Sequence, residues 1–421
     1  MGALQPLRRS TAIQPAVVRP TTQPKPVTRA HTLRPIARDS VALTGLAGRQ
    51  PLTTMNVAAL EDRISRETGT VLTQGNKMEL FVDGQEAYPR IMSMIQGAER
   101  SLHMQMYIFT DDKAGWDVAE ALADRAAHGV KVRVSADYIG TSTNSPLFEF
   151  LRQNGVEVRH HALSGVKSQI DHRKIIVADG HTAMTGVMNI ADDYRDTWHD
   201  TMITIQGPVV AEIQREFLRG WQDHGGSAIA DNADVFPPLP AKAPGATAMR
   251  VVTTYPDPDF QRTLFAAIDS AGREINLEMP YFSDETLVNK LIAAAKRGVK
   301  VNLVLPGKSD VGLMDAAAKA HFQRIKNAGI TIYLYQGRIM HAKLATVDGV
   351  WGTIGSGNGD ARSLRLHREM NVTLNDPAAV ATLNERVFAA DFKASLKLET
   401  FQPTIGERMK NWVARKLAPV L

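Results

Sequence analysis

The chain has 421 residues, a formal net charge of +5, 44% hydrophobic residues and no cysteine. This length exceeds one ordinary domain and suits two, and the composition is that of a globular protein with a core. The lack of cysteine excludes disulfides, thiolate metal ligation and thiol catalysis, while the basic balance favours anionic partners, either acidic lipid surfaces or nucleic acid.

Residues 1–55 come first. They hold Pro6, Pro15, Pro20, Pro24, Pro26 and Pro35, and among the first fifty positions Asp39 faces eight Lys and Arg. Proline at that density prevents regular helix or central strand. A disordered basic arm is expected, first as a solubilising tail and second as an attraction to anionic lipid. No apolar core of a secretory signal is present there. No run reaches the roughly eighteen apolar residues of a spanning helix anywhere in the chain. A short helix is expected over 60–64.

A first domain is predicted over 70–235. It opens with a strand at 78–82 and an Asp83-Gly84 turn. Helix 87–97 follows, with Ile91, Met94 and Ile95 on one face. Then come a buried strand at 101–109, a helix at 116–128 closed by Gly129, and a strand at 130–134. His103 reads as a satisfied core or pocket-edge histidine. The alternation implies a parallel or mixed sheet covered by helices. A proline-stiffened linker over 236–246 leads to a second domain over 247–400. That domain repeats the pattern with helix 260–272, strand 274–279, helix 287–297 and strand 299–304. Tyr281 and Phe282 fall just past a strand end, where α/β sheets place ligand sites, and are candidate pocket residues. Segments 141–145 and 309–315 read as matching substrate lips. In 401–421, Ile405, Met409, Trp412, Val413 and Leu417 keep helical spacing beside Arg408, Lys410, Arg415 and Lys416. Such a basic amphipathic helix lies on an anionic membrane or docks on the protein's own core.

One stretch occurs twice. With His172 as zero, Lys174 stands at +2, Asp179 at +7, Gly186 at +14, Asn189 at +17 and Asp200 at +28. With His341 as zero, Lys343, Asp348, Gly355, Asn358 and Glu369 take the same positions, 169 residues further on. Gly129-Val-Lys-Val and Gly298-Val-Lys-Val keep the same separation, so the duplication extends to the scaffold. His-x-Lys on a strand puts both side chains on one face. Asp179-Gly180 and Asp348-Gly349 read as turns. The Gly at +14 marks a close backbone approach. Two copies related by a pseudo-twofold axis would set two His, two Lys and two Asn around one centre. That set suits a phosphodiester. Lys and Asn would hold the non-bridging oxygens, one His would attack phosphorus, and the other would protonate the leaving oxygen. The +28 acid would orient an imidazole. A metal is not expected, because an ammonium at +2 repels a cation.

These spacings resemble the phospholipase D superfamily. The stretches His172–Gly180, Thr185–Ile190, Asp196–Thr201, Pro280–Phe282 and His367–Asn371 are similar to bacterial cardiolipin synthases. The resemblance covers roughly 75–420. It implies two tandem homologous α/β/α sandwich domains related by a pseudo-twofold axis, with one shared site. It also implies a transient phosphohistidine on His172, His341 as general acid and base, and neither cofactor nor metal. Asp179 and Asp348 join the catalytic set, and Ser356 the phosphate-binding and orienting residues. Val187 stands where many members have Gly or Ser, and the +28 acids differ, so the halves are not equivalent. The expected activity is transfer of a phosphatidyl group from one phosphatidylglycerol to another at a membrane surface. The runner-up is phospholipid hydrolysis, with a nuclease and then a non-catalytic binding relic behind it. Nucleic acid is not the expected partner. A cytoplasmic protein peripheral to the inner membrane is expected.

Overall fold

The computed structural model describes residues 53–161 and 169–418. The expected basic arm lies outside the described residues except for positions 53–55. In chain order the strands of the first half are β1 Thr73–Val82, β2 Ser101–Met106, β3 Lys131–Asp137, β4 Glu157–His161, β5 Ile175–Ala178, β6 Thr182–Gly186 and β7 Thr201–Gln206. Those of the second are β8 Thr247–Thr253, β9 Glu274–Glu278, β10 Lys300–Pro306, β11 Thr331–Tyr335, β12 Leu344–Val347, β13 Trp351–Gly355, β14 Met370–Asn375 and β15 Ser395–Lys397.

All of them join one sheet in the order β15-β11-β10-β9-β12-β13-β14-β8-β1-β7-β6-β5-β2-β3-β4. Read outward from its middle, each half repeats the other. β2, β3 and β4 pair in parallel, as do β9, β10 and β11. The strands nearer the centre pair antiparallel. The two halves meet where β1 pairs with β8.

The cores follow from this layering. One face of the first half is closed by the helices Asp83–Gln96, Lys113–Ala127 and Pro146–Gln153, which bury Ile91, Val118, Leu122 and Phe148 against β2 and β3. One face of the second half is closed by Asp259–Ser270 and Glu285–Lys296, burying Phe260, Leu264 and Leu291. The third core spans both halves. It joins Ile175, Ile203, Phe217 and Trp221 of the first to Met340, Leu344, Val372 and Phe388 of the second. Burying about 25 cal/mol for each Å² of apolar surface, this shared core makes the halves one body. Residues from Pro51 onward accordingly form a single compact unit.

Local chemistry sets the element ends. Asp112 and Asp284 cap their helices by accepting the N–H groups of Gly115 and Leu287. The helix expected at 60–64 runs from Val57 to Thr68, longer because Asn56 caps it and Gly69 ends it in the left-handed region. It packs on the second half, where Glu61 pairs with the fully buried Arg250 at 2.7 Å. Asp83-Gly84 is a helix start and not a turn, since Asp83 takes φ 64 and opens Asp83–Gln96. Residues 236–246 are irregular, as the prolines require.

Candidate active site

The two His-x-Lys stretches do not lie in ladder strands, contrary to expectation. They are the extended lead-ins to β5 and β12, and each is pinned by the opposite half. His172 N–H donates to Arg368 O at 2.9 Å, and Arg368 N–H donates to Ile170 O at 2.9 Å. In the mirror arrangement His341 N–H donates to His199 O at 2.9 Å, and His199 N–H to Ile339 O at 2.8 Å. Ladder pairing would have fixed the lead-ins within their own halves. Pairing across the pseudo-twofold axis brings both histidines to one centre.

The +28 acids cross the same axis. His172 Nδ1 lies 3.0 and 3.1 Å from the Glu369 carboxylate oxygens. His341 Nδ1 lies 2.9 Å from Asp200 Oδ1. Each carboxylate therefore takes the Nδ1–H of the other half's imidazole and leaves Nε2 for chemistry. Both acids are buried; burial raises the Glu369 pKa and pushes Asp200 up to about 7. Burial and the two lysines lower the pKa of both imidazoles well below the usual histidine value.

The halves then diverge. Ser356 Oγ donates to Glu369 Oε2 at 2.6 Å and Ser363 Oγ to Oε1 at 2.5 Å. Ser356, expected among the phosphate-binding and orienting residues, is thus placed to orient Glu369. Its hydroxyl already has that carboxylate as acceptor, and it does not line the cavity. Val187 replaces it in the first half, and Asp200 Oδ2 is left buried with no described partner. The lysines differ too. Lys174 Nζ bonds His172 O at 2.7 Å. Lys343 Nζ bonds His341 O at 2.8 Å and also His341 Nε2 at 2.9 Å. Burial and mutual repulsion pull Lys174 down to about 7, and burial pulls Lys343 to about 8.

Both imidazoles line a cavity of about 370 Å³, with Tyr107, Tyr194, Trp198 and Tyr281 as aromatic walls. Tyr107 meets His172 edge-on at 4.9 Å, and Trp198 meets His341 at 5.1 Å. Asn358 lines the cavity with its buried Oδ1 unpartnered, while Asn189 accepts the Ile108 N–H through Oδ1 at 3.0 Å. Tyr281 donates to Asp310 Oδ2 at 2.8 Å and lines the cavity as expected. Phe282, its partner in the expectation, does not. Alternation past the strand end turns it into the core, fully buried beside Leu287. The 309–315 lip is in place through Asp310, Val311 and Met314. Its expected counterpart is absent from the wall, because Thr141 bonds Tyr107 O and Phe109 N. His103 is a core residue, stacked on Phe217 and bonded to Gln214.

Asp179 and Asp348, expected in the catalytic set, sit at the far ends of β5 and β12. Both occupy the left-handed region, at φ 54 and φ 55. Asp179 accepts the N–H groups of Glu99, Arg100 and Ser101. Asp348 accepts those of Met55, Gly272, Arg273 and Glu274. They lock the turn to the neighbouring strand. The glycines at +14 behave as expected: a Cβ on Gly186 or Gly355 would come within 2.4 or 2.3 Å of a carbonyl oxygen on the next strand.

Among the described residues, one group of chelating side chains gathers its ligand atoms within 4.8 Å: His199, Glu278 and Asp391. His199 Nδ1 already faces Asp83 at 2.7 Å and Nε2 faces Asp391 at 3.1 Å. Its counterpart at +27 is Arg368, which pairs with Asp223 at 2.6 Å. An imidazolium here does what a guanidinium does in the other half.

Comparison with known proteins agrees with the duplication. The family model described as "Cardiolipin synthase, PLD-like domain" matches residues 91–221 and again 264–391. The major cardiolipin synthase of Bacillus subtilis (strain 168) is 31% identical over 372 residues, covering 83% of this chain and 77% of that one. The cardiolipin synthase of Oceanobacillus iheyensis is also 31% identical, over 83% of this chain and 76% of its own. Among solved structures, the phosphatidylserine synthase of Haemophilus influenzae Rd KW20 shares the fold, with TM-score 0.61 at 13% identity over 86% of this chain and 98% of that one. The chain thus belongs to the PLD-like family of cardiolipin synthases, with one such domain in each half.

Proposed function

We propose that the chain is a phosphatidyltransferase that joins two phosphatidylglycerol molecules into cardiolipin and glycerol. The unequal state of the two imidazoles at one cavity carries the assignment of roles. No described side chain bonds His172 Nε2, whereas Lys343 caps His341 Nε2. His172 Nε2 attacks phosphorus and the bond to the glycerol oxygen breaks. The proton shared by His341 and Lys343 passes to that oxygen, and glycerol leaves. A hydroxyl of the second phosphatidylglycerol then gives its proton to His341 and attacks phosphorus. The P–N bond breaks and His172 is restored. Lys174, Lys343, Asn189 and Asn358 stabilise the charge on the non-bridging oxygens.

The cavity volume of about 370 Å³ suits a phosphate with a glycerol head group. The acyl chains extend past the rim toward a bilayer, and peripheral association with the cytoplasmic face of the inner membrane belongs to the same reading. Among the described residues no helix is long and apolar enough to cross a membrane. Burial of both histidines, at 6% and 4% exposure, supports transfer over hydrolysis by limiting access of water.

The test is incubation of the protein with phosphatidylglycerol vesicles and separation of the lipid products, with His172→Ala as control. Cardiolipin plus free glycerol, absent in the control, is the expected result. Phosphatidic acid alone would replace transfer with hydrolysis. Acid-quenched trapping should place the phosphoryl label on His172, and a label on His341 would exchange the two roles.

A further inference from the structure

The C-terminal helix, Ile405–Leu417, is amphipathic in the reverse sense from one that docks on a core. Its inward face is made of Asn411, Ala414 and Ala418, and the alanines pack on Ala316 and Ala317 of the helix Gly312–Lys319. Its large apolar residues point away. Ile405 is 84% exposed, Met409 61% and Trp412 52%, and Val413 and Leu417 continue the stripe at 42% each. At 3.6 residues per turn this stripe and the alanine face lie on opposite sides of the helix. A helix held by its own core would turn the indole inward. Arg408 and Arg415 flank the stripe on one side and Lys410 on the other, with Lys416 inside it over the Trp412 ring. Arg415 faces Glu285 at 3.8 Å, and the helix itself carries one acid, Glu407. That acid is engaged in a capping box with Thr404.

The docking helix is joined to the site. Gly312–Lys319, which carries it, begins at the lip where Val311 and Met314 meet the catalytic cavity. Val311 and Leu313 add exposed apolar surface there, at 40% and 37%.

We propose that Ile405–Leu417 is an interfacial anchor that lies in the surface of an anionic bilayer and sets the mouth of the cavity against it. The outward apolar stripe enters the headgroup–acyl boundary, and the flanking cations select anionic lipid. The choice of a bilayer rests on the lipid substrate proposed above.

The natural chain has no cysteine, so Met409→Cys provides one labelling position in the full-length protein. Labelled with a polarity-sensitive nitrobenzoxadiazole dye, it is mixed with vesicles of phosphatidylcholine containing phosphatidylglycerol. The emission should shift to the blue and rise severalfold. A label at Glu120→Cys, on the first-half helix Lys113–Ala127, should not respond. The same shift is expected when Met409→Cys is combined with His172→Ala, which separates docking from turnover. Trp412→Glu should weaken cosedimentation with these vesicles at least tenfold. No shift at position 409 overturns the proposal, as does an equal shift with phosphatidylcholine alone. A shift without vesicles that grows with protein concentration also overturns it, because a second copy then covers the stripe.

Discussion

Glu369 stands 197 residues after His172 in the chain and 3.0 Å from its Nδ1. In the proposed mechanism the carboxylate fixes the tautomer that presents Nε2 to phosphorus. Glu369→Gln keeps the shape and loses the charge, so the rate of label transfer to His172 should fall about 10²- to 10⁴-fold with folding intact. Ser356→Ala, which removes one of two hydroxyls holding Glu369, should cost less, about 1.5–3 kcal/mol in the barrier. Single-turnover kinetics separates the two, and equal rates for Glu369→Gln and the natural chain would end this assignment.

The +7 aspartates should behave as structural residues. Asp179→Ala strands three backbone N–H groups and forces a left-handed alanine, for a loss of about 2–5 kcal/mol in unfolding free energy. Asp179→Asn should recover most of that, because asparagine tolerates φ > 0 and its carbonyl still accepts. Turnover per folded molecule should be close to the natural value in both. Denaturant melts paired with active-site titration check this; a stable but inactive Asp179→Asn chain would return the residue to the catalytic set.

Oxyanion affinity should fall with rising pH. Lys174 titrates at about 7 and Lys343 at about 8, so each ammonium is lost as pH rises through its own value. Asp200, raised by burial to about 7, becomes negative in the same window and acts in the same direction. Tungstate, a tetrahedral oxyanion with the shape of the phosphoryl group, should bind best below pH 7. Above that its affinity should drop by up to about tenfold per pH unit for each group titrated. Calorimetry across this range checks it; a flat profile would mean that the ammonium groups do not hold the anion.

His199 should carry pH-dependent stability. Burial alone would lower its pKa, but hydrogen bonds to Asp391 and Asp83 outweigh that and raise it well above the usual value. The contribution is therefore fully present below the unfolded value of about 6.5 and disappears as pH rises through the folded one. His199→Gln leaves the buried Asp391 and Glu278 without their cation, while Asp83 keeps Arg338, for a loss of about 3–5 kcal/mol near neutral pH. Thermal melts from acid to alkaline pH should show the natural chain losing ground to the variant as pH rises. Parallel curves would place the stabilising charge elsewhere.

Much of the site is legible in the sequence because duplication writes it twice. His, Lys, Asn and the +28 acid recur unchanged or nearly so; both histidines, Asn358 and Glu369 line one cavity, and Lys343 and Asp200 bond His341 beside it. Residues whose type differs between the copies were lost to that comparison. Trp198 and His367 share position +26 and both line the cavity, yet one is an indole and the other an imidazole. Ile108 and Tyr281 form a similar pair beside the buried Phe109 and Phe282. Identity of type can also have a structural cause. Asp179 and Asp348 recur as faithfully as the histidines, because a left-handed turn with three or four N–H groups to satisfy demands an aspartate as strictly as chemistry does. The crossing of the acids depends on pairing across the axis and has no local signature, whereas Ser356 meets Glu369 inside its own half, where β13 pairs with β14.

The cross-chain pins also impose an order on synthesis. A ribosome-bound chain ending before residue 368 holds His172 without its acid and without the backbone partner that positions it. His172 gains both only when the segment leading into β14 reaches the first half, a contact distant in sequence and slow to form. The reactivity proposed for His172 is therefore expected only from a chain that has added residues 368 and 369 and folded them against the first half.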